Sequence, residues 1–307
     1  MHKYPPKFAG HDWSAEIKNL YDKFPELKVI YSGSSLLRLF KGKGDLSRRR
    51  ITYNLPGLSL REYLLYNEKL NYPSIHLEEL IGNHVDIAGD IVTKIKIIPQ
   101  FNEYLDHGYF PFYNEAPEHY FDRLKDVISV ILENDVPAVI DAPYITSVKL
   151  KKLLAVIAES APVTPNLSLI RSELYIADHR TLLKYLNWLD FAELITLLGK
   201  EARGNQILRK PEKIYLNNPN LMQLLSSLPD RGNLRETFFV NQTGYLHDVK
   251  YPDQGDFYID DKFIFEVGGK NKGAGNLKNL PDIYLALDNI EIGFGKTIPL
   301  WLFGFLY

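Results

Sequence analysis

A change of hydrophobic period near residue 232 constrains this chain more than any other feature. Before it, apolar residues recur mostly at helical spacing, as in the stripe Leu77, Leu80, Ile81, Val85, Ile87 and Ile91. After it comes one more helix, carrying Glu236. Short strand-like runs then follow at 256–259, 262–267, 283–287 and 299–305. A helical stripe and a period of two bury different faces, so the expected fold class is α/β plus α, with a mostly β core reserved for the last 75 or so residues.

The first 72 residues read as α/β. Residues 27–31 and 51–55 have the composition of short strands, with a helix expected over about 35–41 between them. Ser59 precedes an apolar run and has Glu62 three residues on, the sign of a capping box opening a helix over 60–69. Residues 76–135 read as helical, with a last helix near 118–133 and breaks at Pro99, Gly108 to Pro111, and Pro117. Over 144–228 the order is three helices and then two β-like runs, Leu194–Leu198 and Lys213–Leu216. That order is the winged-helix pattern.

Bulk chemistry excludes several classes. The chain has 307 residues, no cysteine and a net charge of −2. Disulfides, thiolate catalysis and cysteine-ligated zinc are therefore absent. The start, Met1 to Pro6, has no apolar signal core, and there is no apolar run of 18 residues. No membrane partner is expected, and the expected location is cytoplasmic. A phosphate-binding loop of the form GxxxxGK[ST] does not occur. Gly295-Lys296-Thr297 comes closest, but Ile290 stands where its first glycine belongs.

Several long runs carry a resemblance. They include Met1-His2-Lys3-Tyr4-Pro5, Glu16 to Asp22, Ser32-Gly33-Ser34-Ser35, Phe101 to Leu105, Gly108 to Phe112, Lys210 to Leu216, Leu234 to Phe239, Phe265 to Lys272 and Ile298 to Tyr307. Together they resemble bacterial AAA+-like ATPases with a DUF4143-type C-terminal region, across nearly the whole chain. The resemblance implies that Met1 follows the family's Walker B acids, so that Walker A and B would lie upstream. It further implies a remnant of the AAA+ α/β core over 1–72, a helical lid over 73–143, the winged helix over 144–228 and a PD-(D/E)xK nuclease-like module over 229–307. ATP and Mg²⁺ are then expected for the full-length family, with neither bound tightly here. A polypeptide carrying the missing ATPase half, or self-association, would cover the incomplete core.

Candidate sites follow. Ser32 and Ser34 resemble a nucleotide-sensing turn, with a helix cap as the plain alternative. Arg48, Arg49 and Arg50 suit trans stabilisation of a phosphoryl group, or form a solvated charge run. The 144–228 segment has eleven basic and seven acidic residues, a local +4 that suits DNA phosphates through Arg171, Arg180, Lys184 and Lys210. A protein-binding winged helix remains the alternative. In the last module, Asp256 and Glu266 could hold Mg²⁺, with Glu236 supporting from the helix. An active site of this kind carries its lysine two residues after the second acid, but that position is Gly268. Lys270 lies on the same strand face about 7 Å further on. The expectation is a vestigial site that cuts DNA poorly, with an active Mg²⁺-dependent nuclease, or a binding module without chemistry, as alternatives.

Overall fold

The computed structural model describes residues 13–32, 51–137, 144–200, 209–273 and 283–307. Helix α1 spans Trp13–Lys23. Helix α2, Leu60–Glu68, starts where local chemistry says it should. Ser59 Oγ accepts from the Glu62 N–H, and the Glu62 carboxylate accepts from the Ser59 N–H, which closes the capping box. Helices α3 (Leu77–Val92), α4 (Ile97–Glu103) and α5 (Tyr120–Val130) follow, with a π-turn at Tyr104–Gly108.

Three helices come next, α6 (Tyr144–Ser160), α7 (Leu167–Glu173) and α8 (His179–Phe191). Asp178 caps α8 by accepting from the Thr181 N–H. Strands β1 (Ile195–Leu198) and β2 (Lys213–Leu216) pair antiparallel, and Val163 bridges Ile214 on the far side of β2. Helices α9 (Pro219–Leu225) and α10 (Arg231–Thr243) lead into a five-stranded sheet in sequential order: β3 (Val249–Lys250), β4 (Phe257–Ile259), β5 (Phe263–Gly269), β6 (Ile283–Asp288) and β7 (Thr297–Pro299). The first three strands are antiparallel, whereas β5–β6 and β6–β7 are parallel.

Two apolar cores organise these elements. The first joins α2, α3 and α4 to α10, the sheet and the final 3-10 helix, through Leu60, Phe101, Phe238, Phe239, Phe265 and Phe303 among others. The second joins α5 to α6–α9 and the β1–β2 ribbon. The span read as one helical lid, 73–143, is thus divided between both cores, because its two halves carry stripes that face different partners.

Three expectations are corrected. Residues 27–31 and 51–55 form no strand; Ile30 is 92% and Leu55 91% exposed. A strand must pair its backbone groups with a neighbour, and among the described residues no strand lies beside them. The run 299–305 is a strand only to Pro299, after which Leu300–Phe305 is a 3-10 helix. All six of those residues are buried, and a short continuous apolar run does not by its pattern separate a buried strand from a buried helix. The helix expected over 35–41 lies outside the described residues.

Candidate functional site: an acid pair and a lysine on the C-terminal sheet

Antiparallel pairing of β4 with β5 brings Phe257 opposite Phe265. One step outward, the Asp256 N–H donates to the Phe265 carbonyl at 2.9 Å, which places the Asp256 side chain beside Glu266. Strand alternation turns Phe257, Phe263 and Phe265 into the core and Glu266 to the other face. Asp256 Oδ2 also accepts the Val267 N–H at 2.8 Å, which fixes the carboxylate against the strand.

The cation between these acids is Lys272. Its ammonium lies 2.5 Å from Glu266 Oε2 and 3.0 Å from Asp256 Oδ2, and it donates to the Val267 carbonyl at 2.7 Å. Burial pushes the Glu266 carboxyl above the ordinary range; the nearby Asp256 charge adds to that, while Lys272 opposes it. Burial alone would lower the Lys272 ammonium, but its bonds to Glu266 and Asp256 outweigh that and raise it.

The expected lysine is corrected here. Lys270 is exposed in the turn after β5 and does not continue the strand face. The strand stops at Gly269, and the Lys272 N–H donates back to the Gly269 carbonyl at 2.8 Å, reversing the chain. Period-two extrapolation fails at that reversal. The Gly268-Gly269 pair stands at the end of the strand but does not by itself give the direction of the reversal.

Glu236 on α10 is engaged beside this site rather than within it. Its Oε2 accepts from Lys213 Nζ at 2.7 Å and from the Tyr215 hydroxyl at 3.0 Å, both on β2. Burial, and then the Glu236 charge, raise the Tyr215 phenol well above its ordinary value, and the Asp256 charge adds to this. Sequence reasoning also passed over a second cluster on this sheet. Asp288, at the end of β6, is fully buried, with Arg235 Nε at 2.8 Å and Arg231 Nε at 3.2 Å. Arg231 also donates to Asn102.

The other candidates are dispersed. Ser32 is exposed and outside any regular element, while Ser34, Arg48, Arg49 and Arg50 lie outside the described residues. Arg180 and Lys184 are exposed one turn apart on α8, and Lys210 is exposed before β2. Arg171 is half-buried and reaches the Ala177 carbonyl at 3.5 Å. Among the described residues no helix is long and apolar enough to cross a membrane.

In comparison with known proteins, residues 9–64 match the AAA domain family model. Residues 98–232 match a domain of unknown function, DUF8612, where the resemblance had pointed to a DUF4143-type protein. Among curated proteins, the chain is similar to Uncharacterized protein MJ1637 of Methanocaldococcus jannaschii, at 27% identity over 206 residues. That alignment takes in 66% of this chain and 43% of the relative, so the chain spans less than half of the relative's length. No solved structure matches.

Proposed function

We propose that the chain is the non-hydrolysing C-terminal part of an AAA-type ATPase, and that its last unit, 229–307, is a PD-(D/E)xK-like module acting on phosphodiesters. One observation carries this reading: Asp256 and Glu266 converge within hydrogen-bond reach of the Lys272 ammonium. The order of α10, three antiparallel strands and a parallel fourth strand supports the same module, with Asp256 just before β4 and Glu266 on the neighbouring β5.

The donor set fits Mg²⁺. That ion keeps several waters and binds through one or two carboxylates. Asp256 and Glu266 supply two that can share a single cation, and no group of three His, Asp or Glu side chains suited to a metal occurs among the described residues. Mg²⁺ held there would polarise a phosphoryl oxygen and lower the pKa of a bound water. In hydrolysis the water oxygen joins phosphorus, the P–O bond to one sugar breaks, and the departing oxygen takes a proton from the water. Asp256 is pre-positioned by the Val267 N–H, so its geometry is set before substrate arrives. Incubation of supercoiled plasmid with Mg²⁺ or Mn²⁺ tests the reading. Cleavage that disappears in Asp256→Ala and in Glu266→Ala is expected, and a plasmid left intact by the parent protein overturns it.

The ATPase half of the proposal rests on the AAA-domain match together with the lack of a phosphate-binding loop in this sequence. Leu27, Val29, Ile30, Ile51, Tyr53 and Leu55 are all exposed, which supports cover by further AAA core, on this or another polypeptide. Calorimetric titration with Mg-ATP should show affinity weaker than millimolar, and a micromolar Kd refutes the claim.

A DNA contact is favoured by a separate observation. The order α6, α7, α8, β1, β2, with Val163 bridged to β2, supports a winged helix, and α8 presents Arg180 and Lys184 to solvent. Weak, sequence-independent, salt-sensitive binding is expected in a mobility shift. Binding left unchanged by Arg180→Ala with Lys184→Ala refutes it.

A further inference from the structure

Gly268 lies on the same face of β5 as Glu266, two residues further along, with Leu287 as its partner in β6. A Cβ placed on Gly268 would stand 2.7 Å from Lys272 Cβ and 2.9 Å from its Cγ, and would overlap its Cδ. Real side chains do not approach so closely. The Lys272 stem therefore fills the space that a side chain at position 268 would occupy. It arrives there because the chain reverses at Gly269 and runs back along the strand it has just left. All three ammonium donors then find oxygens, on Glu266, Asp256 and the Val267 carbonyl.

We infer that Lys272 is a tethered cation occupying the cation position of the Asp256–Glu266 pair, admitted by the missing side chain at Gly268, and that a divalent metal binds there only by displacing its ammonium. The identity of that metal rests on the phosphodiester reading above; the competition itself rests on the contacts. The metal requires carboxylate oxygens at roughly 2.0–2.1 Å, and Lys272 holds one oxygen of each acid. An ammonium and a dication cannot both sit on those oxygens, because like charges at contact in a half-buried site repel strongly. Lys272 thus offsets one of the pair's two negative charges without metal, and once displaced it stands beside whatever anion the metal brings. The extended lysine of an ordinary site of this class, two residues after the second acid, is replaced by one that reaches the same place from the opposite direction.

Calorimetric titration of Mn²⁺ into the whole chain tests this directly, with plasmid cleavage run in parallel and thermal melting to confirm that each variant folds. Lys272→Ala should bind Mn²⁺ at least about tenfold more tightly than the parent, since a competing charge is gone. Gly268→Ala should shift affinity in the same direction by expelling the lysine stem. Gly268→Lys combined with Lys272→Ala should restore the parent affinity, because a lysine at 268 reaches the same carboxylates. Asp256→Ala should abolish binding in each background. Equal or weaker Mn²⁺ affinity in Lys272→Ala overturns the inference, as does a lack of Mn²⁺ binding in every protein, and neither result depends on whether Gly268→Ala folds. Tighter binding in Lys272→Ala with plasmid uncut throughout would keep the inference and remove the phosphodiester reading. Cleavage by the parent with unchanged affinity in Lys272→Ala would do the reverse.

Discussion

The Asn220 side-chain oxygen accepts the backbone N–H of Tyr109 at 2.8 Å, across 111 residues of chain. The same oxygen takes the Tyr120 hydroxyl at 2.6 Å, and the amide nitrogen donates to the carbonyls of Tyr104 (3.2 Å) and Leu105 (3.0 Å). Tyr104, Leu105 and Tyr109 belong to the core under the C-terminal sheet, and Tyr120 belongs to the other. One fully buried carboxamide therefore satisfies polar groups from both cores at their junction. Asn220→Ala strands these groups away from water, and a loss of about 3 kcal/mol or more is expected in urea unfolding. A loss under about 1 kcal/mol would mean that water or rearrangement replaces the bonds.

Asp288 is the only acid paired with Arg231 and Arg235 among the described ion pairs, and its side chain is fully buried. Asp288→Ala leaves two guanidinium groups without it, one of them, Arg235, 17% exposed. The expected cost is about 3 kcal/mol, from charges left uncompensated. Asp288→Asn keeps an acceptor and should cost less. Chemical denaturation of the two variants side by side measures the difference, and equal losses would argue that volume matters here and charge does not.

Gly304 and Gly82 should respond oppositely to alanine. A Cβ on Gly304 would stand 2.5 Å from Leu60 Cβ and 3.2 Å from Phe238 Cζ, where α2, α10 and the final 3-10 helix meet. Gly304→Ala should lower stability by about 1–3 kcal/mol through overpacking. Gly82 sits within α3 with nothing within 4 Å of such a Cβ. Gly82→Ala should be neutral or stabilising by up to about 1 kcal/mol, from helix propensity. Melting temperatures moving in the same direction would contradict the packing argument.

His107 gives a pH dependence of known sign. Its ring stacks on Tyr113 at 3.7 Å, and burial pushes the imidazole below its ordinary 6.5, against the charges of Asp106 and Glu103. The unfolded chain then binds this proton at a higher pH than the folded chain does. Stability should decline as pH falls through about 6.5 and level off below the folded value. His107→Phe should flatten that part of the profile. Urea unfolding of parent and variant at mildly alkaline and mildly acidic pH checks it, and parallel profiles would remove His107 as the cause.

What the sequence determined by itself was local. The Ser59–Glu62 capping box, the Asp178 cap of α8 and the alternation Phe263, Phe265, Val267 around Glu266 each depend on residues within a few positions of one another. The order of three helices and a ribbon was legible for the same reason, as was the placing of Glu266 on a strand, whereas Asp256 lies one residue before β4. Tertiary structure decided what depends on distant partners. Residues 27–31 and 51–55 have strand composition but no described neighbour to pair with, and 300–305 leaves the sheet after Pro299 as a buried 3-10 helix. The lysine of the acid pair was misplaced by two residues because periodicity describes a strand only while it continues. Where the chain turns, at Gly269, the position of Lys272 is set by the space over Gly268 and by the two carboxylates waiting there, and no local pattern in the sequence encodes either.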